Sequence, residues 1–487
     1  MLGSLFAFYV GKQLTLSIIV LSAIFVLVLV VVIIKKKLRY FIIPCLAFLT
    51  AFGIYSLRVA NFNKSVQYSP EIISARVYEI STVKQGSIAL KADSCEFDGK
   101  EIKSNLNIII YDNSSLFEDI QVGSIISFKP TKVFKTDLYF NDLPNAKTRY
   151  KNLKYTATAN FSDVEVKGKD LTLAEQVKDK VNNNLHNGLN NENAELAYSA
   201  LFGDKTSLGD DIYISYRLSG IAHLLAVSGL HVALIVGVIR AILSLFRVKN
   251  NWAKIVLISA FLLFYSYVCD FSSSVVRASI MSILALLAIA LGREYDQLNS
   301  ISIAGIVCFL LNPLCVFDVS FLMSFGCAFG IVLFNKPIKT ALIKIKTPEK
   351  LAESLSLTIS TLLALLIINA VFFRNFNIIS MIANVIIIPI FALAFSLVFI
   401  VLLISLIIPS ISLVLMPLNY VFDIVNVVAT TLGNLSFANI PTASLNFIAI
   451  PAYFVLTFMI SRICLANKLN KVIISLGLVA ILVVCLL

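Results

Sequence analysis

At 487 residues the chain has the length of about three soluble domains, yet 58% of it is apolar and only 14% charged, against roughly 45–50% and 25% in an ordinary globular protein. With a mean hydropathy of +0.88, that much apolar surface needs lipid as its solvent, which excludes a wholly soluble fold. The excess of 40 basic over 28 acidic residues fits an anionic partner, or basic loops held at the cytoplasmic face of a bilayer.

Leu14 to Ile34 is an uncharged run of 21 residues, long enough to cross ~30 Å of hydrocarbon. The cluster Lys35-Lys36-Lys37-Leu38-Arg39 follows it, then a second apolar stretch, Phe41 to Leu57. Positive charge after the first run, rather than before it, argues against a cleaved signal peptide. It predicts an outside N-terminus, a cytoplasmic 35–39 loop and a return to the outside after the second span. Residues 1–67 are therefore expected to hold two transmembrane helices.

Between 68 and 170 short alternating runs replace the long ones. Glu71–Val83, Ser87–Phe97, Asn105–Tyr111, Ser124–Val133 and Tyr150–Val166 each read as strands, rich in Ile, Val, Tyr and Phe and separated by turn residues. Five strands in this length predict a small extracytoplasmic all-β domain, with an OB-like barrel as one candidate. Its 15 basic and 14 acidic residues over 61–170 nearly cancel. The stretch 129–154 is locally basic and interleaved with aromatics, and Lys129, Lys132, Lys135, Arg149 and Lys151 are its candidate DNA-binding residues. Positive charge plus aromatic stacking suits single-stranded nucleic acid; a solvated strand face is the alternative. A polar, Asn-rich helical connector is expected over 171–217.

From 218 to 487 apolar stretches resume, with spans expected near 221–246, 252–269, 273–291, 297–312, 317–335, 354–373, 378–408, 411–433, 445–463 and 471–487. Basic clusters after the first, third, fifth and ninth of these all fall inside when 68–200 is outside. Twelve spans with both termini outside result, in a polytopic α-helical membrane protein. Of eight cysteines only Cys95 lies in a polar stretch, and no Cys/His cluster has zinc spacing, so neither metal nor cofactor is expected.

Ionisable groups inside spans cost ~2.5–3.5 kcal/mol each and need a bundle interior or a water path. His223, His231, Arg240, Asp270, Arg277, Asp318 and Asp423 are such groups. Ser228-Gly229, Asn312-Pro313, and Asn384 upstream of Pro389 add expected helix breaks. A polar pathway between 220 and 390 follows, in a transporter or channel, with an intramembrane enzyme as the rival.

The string Ala200-Leu201-Phe202-Gly203-Asp204-Lys205, then Leu218-Ser219-Gly220-Ile221-Ala222-His223-Leu224-Leu225-Ala226-Val227-Ser228-Gly229-Leu230-His231-Val232, is more specific. It resembles the signature of the ComEC-type competence proteins, inner-membrane channels of bacterial DNA uptake. Arg277 with Met281, Asn312-Pro313, Asp318, Phe321-Leu322-Met323-Ser324-Phe325 and Ala383-Asn384 before Pro389 match in order. The resemblance covers about 196–465, and more loosely the first two spans and an OB-like domain. Leu322 stands where the family usually has Gln. The long family members end in a metallo-β-lactamase-like domain; the chain ends at Leu487, so that nuclease-like domain is expected to be absent.

What the resemblance implies is a channel component that carries single-stranded DNA across the cytoplasmic membrane during natural transformation. His223, Ser228, Gly229, His231, Arg277, Asn312, Asp318, Ser324 and Asn384 are the pathway candidates, with no catalytic residue. DNA, lipids, a separate receptor, an ATP-driven cytoplasmic motor and a separate nuclease would be the partners; no Walker loop is present. Each residue also has a structural reading. On an unbroken helix, His223 and His231 would lie about 80° apart, facing one cavity or tying a broken helix. Arg277 would meet the strand, snorkel, or neutralise Asp270. Asp318 suits a helix cap or an ion pair with Arg277, and Asn312 and Asn384 suit backbone groups freed beside Pro313 and Pro389. The rivals are a hydrolase using Ser228 and His231 and a transporter of a small anion or lipid.

Overall fold

The structure, a computed structural model, describes residues 70–84, 87–102, 104–111, 120–135, 139–140, 143–144, 153–377, 379–435, 439–441 and 449–460, together with Gly53. It divides into two units. One comprises residues 1–172 with 307–318, the other residues 173–306 with 319–487. The expected spans 14–34, 41–57 (Gly53 apart) and 471–487, the 35–39 cluster and both ends of span 445–463 lie outside the described residues, as do Arg149 and Lys151.

The first unit contains an all-strand domain. Its strands are β1 (Ile73–Lys84), β2 (Ser87–Phe97), β3 (Lys100–Glu101), β4 (Asn105–Tyr111), β5 (Ser124–Phe128), β6 (Lys132–Lys135), β7 (Tyr139–Phe140), β8 (Leu143–Pro144), β9 (Leu153–Asn160) and β10 (Val164–Lys169). The main sheet runs β10-β5-β1-β2-β4-β9-β6, with β3 on β2. All its pairs are antiparallel except β4 with β9, which is parallel. Alternation sends Ile88, Leu90, Leu106, Ile108 and Ile110 inward with Ile73, Val77, Ile126 and Phe128, each contributing ~1.5–3 kcal/mol by burial.

The expected strand Ser124–Val133 is two strands, β5 and β6, with Lys129-Pro130-Thr131 between them. Proline has no N–H for the ladder and bends the chain there. β5 thereby pairs with β1 while β6 pairs with β9, and the Thr131 N–H donates to Thr158 O at 2.7 Å. One bent segment thus joins both ends of the β1-β2-β4-β9 run. The expected strand Tyr150–Val166 is likewise interrupted, by a 3₁₀ turn over Phe161–Asp163.

The second unit is helical: α1 (Leu173–Gly188), α2 (Asn191–Phe202), α3 (Asp210–Leu218), α4 (Gly229–Leu245), α5 (Asn251–Val268), α6 (Ser273–Ala290), α7 (Gln297–Leu311, shared with the first unit), α8 (Val319–Lys344), α9 (Glu349–Phe372), α10 (Ser380–Ser405), α11 (Leu418–Gly433) and α12 (Ala449–Ile460). A two-stranded pair, β11 (Asn375–Asn377) with β12 (Asn439–Pro441), precedes α10 and follows α11. Among the described residues α5, α6, α8, α9 and α10 are long and apolar enough to cross a membrane. A sixth candidate is the 3₁₀ segment Pro409–Leu415 with α11, bent by 47° between its halves. α4, α7 and Ala449–Phe458 of α12 are apolar but shorter.

Two expectations need correction. The first span of this region does not run from 221 to 246 as one helix: residues 222–225 form a 3₁₀ turn, Ala226 is extended and α4 starts at Gly229. His223 and His231 therefore do not share an unbroken helix. Conversely, no break follows Asn384, because α10 continues through Pro389. The missing N–H forfeits one backbone bond, while Ile387, Phe391, Phe395, Val398 and Leu402 pack along both halves.

Candidate functional site

The signature string forms a buried, irregular passage between α3 and α4. Gly203 takes the left-handed conformation (φ +75) that ends α2. Asp204 Oδ1 then accepts from the Thr206 N–H (3.0 Å) and hydroxyl (2.7 Å). After α3, Gly220 turns the chain at φ +78, and a Cβ there would sit 2.3 Å from Ser380 Cβ at the start of α10. Asn377 ties the two elements together, donating through Nδ2 to Leu218 O and accepting the Ser380 N–H at 2.8 Å. Ile221, Leu224, Leu225 and Val227 are buried beneath.

At the far end of this passage Ser228 is the N-cap of α4 and His231 its third residue, and the two form a reciprocal capping box. The Ser228 N–H donates to His231 Nδ1 at 3.0 Å, with Ser228 Oγ 3.2 Å from the same nitrogen. Nδ1 is thus an acceptor, so the neutral ring carries its proton on Nε2. His231 is 0% exposed, and its Nε2 has no hydrogen-bond partner among the described residues. The ring lies against Phe395 (centroids 4.6 Å) and Phe391 (5.7 Å). Between Gly220 and His231 the chain therefore passes from the first turn of α10 to its fourth and fifth. His223, by contrast, is exposed, though it stands near enough to interact electrostatically with His231.

Gly229 brings the start of α4 against Arg277 of α6, whose Nη2 lies 3.0 Å from where a Cβ would sit. Arg277 donates from Nε to Ser324 Oγ of α8 at 2.8 Å, approaches Met281 Sδ at 3.4 Å, and stacks over Phe325 at 5.9 Å. Gly229, Arg277 and Ser324 are thus brought together, with Leu322 buried on the same helix as Ser324. Asn312 closes the end of α7, its Oδ1 accepting the Leu314 N–H at 3.0 Å. Asp318 has extended backbone directly before α8. Asn384 sits on α10 with Oδ1 buried and lacking a hydrogen-bond partner among the described residues.

In the β domain Lys129 and Lys132 are exposed, with Phe134 exposed beside them; Lys135 ends β6. Across β4, β9 and β6 the outward register sets Tyr111 beside Asn160, Ile109 beside Thr158 and Lys132, and Asn107 beside Thr156 and Phe134. The neighbouring charges pair off: Arg76 Nη2 with Asp93 Oδ2 at 2.6 Å, and Lys91 with Glu79.

Sequence reasoning missed one cluster. Asn193 of α2, fully buried, donates through Nδ2 to Asp423 Oδ1 (2.8 Å) and Asn419 Oδ1 (3.1 Å), while its Oδ1 accepts from Asn426 Nδ2 (3.3 Å). The Tyr216 hydroxyl of α3 donates to Asn426 Oδ1 at 2.8 Å. The spacing Asn419, Asp423, Asn426 puts three polar groups on one helix face, the signal that could have flagged it.

Five long apolar helices and an all-strand domain define a multi-pass membrane protein whose signature residues form an irregular, largely buried passage between two helices. A family model described as "Competence protein" matches residues 200–466, more than half of the chain, and the chain belongs to that family. It is 28% identical over 190 residues to ComE operon protein 3 of Bacillus subtilis (strain 168), covering 38% of this chain and 23% of the relative. It is 27% identical over 159 residues to Recombination protein 2 of Haemophilus influenzae, covering 31% of this chain and 20% of the relative. The matched stretches thus span less than a quarter of either relative's length. No solved structure matches the chain.

Proposed function

We propose that the protein carries single-stranded DNA across the cytoplasmic membrane during natural transformation. The observation that carries this is where the family's signature lies: it forms the irregular passage from Gly220 to Gly229, which meets Arg277. Non-helical backbone at membrane depth is tolerated where protein or a wet path surrounds it, and an arginine there offers countercharge to a phosphate. Membership of the competence family supports DNA as the cargo. The motor and receptor functions belong to other chains in this reading. Uptake of labelled DNA into the cytosol should be lost on deletion and restored by complementation, with surface binding retained throughout. Uptake unchanged by deletion would refute it.

The β domain is read as OB-like and extracytoplasmic. Its strand order, with a bent segment bridging β1 and β9 and a parallel β4–β9 pair, supports the barrel. The face with Lys132, Phe134 and Tyr111 offers charge and stacking for a single strand. Replacing Lys129, Lys132, Lys135, Arg149 and Lys151 together by Gln in the full-length protein should weaken oligonucleotide binding and flatten its salt dependence. Each lost phosphate contact removes ~0.7 from the slope of log affinity against log salt. An unchanged slope would leave the stretch as a solvated face.

Cys95 bears on the side of the membrane in an unexpected way. It is buried, its thiol donates to Ala92 O at 3.7 Å, and burial, with Asp93 nearby, pushes the thiol up to about 12. The reactive form is the thiolate, and a raised pKa removes it at every pH well below 12. Native Cys95 should thus resist an impermeant maleimide at pH 7–8 whichever side it faces. Lys100→Cys, at an exposed position, should react in intact cells if the domain is outside. Labelling only after lysis would reverse the assigned topology.

Ser228 beside His231 invites a hydrolase reading. With Nδ1 capping the Ser228 N–H, however, the pair acts as a helix cap, and among the described residues no acid bonds to the ring in the way a triad requires. Ser228→Ala should leave the membrane fraction without any loss of esterase activity.

A further inference from the structure

We infer that α11, expected from its sequence to cross the membrane, instead lies along the bilayer surface, with its polar face roofed by α2 and α3 and its apolar face in lipid. The polar face is the row Asn419, Asp423, Asn426, satisfied by Asn193 of α2 and Tyr216 of α3. The row continues to Gly433, where a Cβ would meet Ser215 O at 3.0 Å and Leu218 Cβ at 3.2 Å. The roof therefore follows α11 along its whole length. The face next round the helix, about 100° from the polar row, carries Tyr420, Ile424 and Val427, which are 76%, 54% and 65% exposed, at the spacing of one helical stripe, while Phe422, Val425 and Ala429 on the remaining side are buried in the helical core.

The roof itself is wet. Glu192 next to Asn193, Arg217 next to Tyr216, and Asp210 and Asp211 at the head of α3 are all exposed. In hydrocarbon each charge would cost ~2.5–3.5 kcal/mol, so these residues face water. Glu192 and Arg217 are chain neighbours of the residues that meet α11 at Asn419 and Asp423 and at Asn426, and α3 reaches Gly433 at its far end. A crossing helix meets water only at its two ends, with ~30 Å of hydrocarbon between them. α11 has only 16 residues, ~24 Å, and is bent 47° from the preceding 3₁₀ segment. That segment and its approach expose Ile407, Ile408, Leu413, Val414 and Met416, continuing the apolar stripe. A polar row in contact with a wet layer and an exposed apolar stripe beside it fit a helix lying in the interface. The inference does not depend on DNA being the cargo.

The chain has a single tryptophan, which makes the depth measurable. In a Trp252→Phe background, Tyr420→Trp, Ile424→Trp, Val427→Trp and Thr431→Trp are reconstituted singly into vesicles of phosphatidylcholine brominated at defined acyl positions. All four tryptophans should be quenched most strongly by the same shallow bromines. A quenching maximum that moves steadily by about 16 Å from position 420 to 431, at 1.5 Å per residue, would show a crossing helix and overturn the inference. Quenching by aqueous iodide with none by bromolipid would also overturn it, by placing the stripe against water. Where a tryptophan variant does not reconstitute, a nitroxide at the same position, read by oxygen and nickel-chelate collisions, gives the same two alternatives.

Discussion

Gly220→Ala should abolish DNA uptake and lower the stability of the helical unit by about 3 kcal/mol or more. Two costs combine. A non-glycine residue at φ +78 carries ~1–2 kcal/mol of backbone strain. The new methyl would also stand 2.3 Å from Ser380 Cβ and 3.2 Å from Asn377 Cγ, and Ser380 Cβ is fixed to a helix backbone that cannot swing aside. Relief requires parting the passage from α10, which breaks the Asn377 bridge between Leu218 and Ser380. Gly203 supplies the control. It has nearly the same torsion, φ +75, but its nearest neighbours are 3.6 Å away, so Gly203→Ala should cost the strain alone. Thermal denaturation in detergent, with uptake assayed in parallel, separates the two. Equal losses in both variants would show that the approach to Ser380 carries no weight.

How legible this was in the sequence depended on whether neighbours in sequence or in space decided it. The strands of the β domain were legible because Ile88, Leu90, Ile108 and Ile110 alternate with outward residues, and one buried face fixes a period of two. The bend at Pro130 that splits one strand was written locally too, though its consequence for closing the sheet was not. The passage 221–228 read as helix because Ile221, Leu224, Leu225 and Val227 are as apolar in a buried loop as in a span; only Ser228, the cap, marked the true start. The family motif located Arg277 and Ser324, whose 2.8 Å bond no spacing could have predicted. Asn193 was illegible because its partners lie more than 220 positions away, and Asn-rich polar helices read as a free connector.

His231→Ala should produce the larger functional loss of the two histidine substitutions, for a reason that distinguishes two roles. His231 is buried and holds the Ser228 N–H through Nδ1, whereas His223 is exposed. Alanine at 231 would leave that N–H without its acceptor, at ~1–3 kcal/mol, and open a space against Phe391 and Phe395, while membrane insertion proceeds because alanine enters lipid more readily than histidine. If capping is the role, His231→Gln should restore both stability and uptake, since a Gln at the third helical position closes a capping box by the same reach back to the N-cap N–H. His231→Arg should then fail, as arginine offers no acceptor and would carry a charge into a site with no exposed surface. If His231 instead meets phosphate, Arg should retain uptake better than Gln. Uptake and thermal stability measured across Ala, Gln and Arg decide between the roles, and normal uptake by the His223→Ala/His231→Ala double variant would remove both histidines from the pathway.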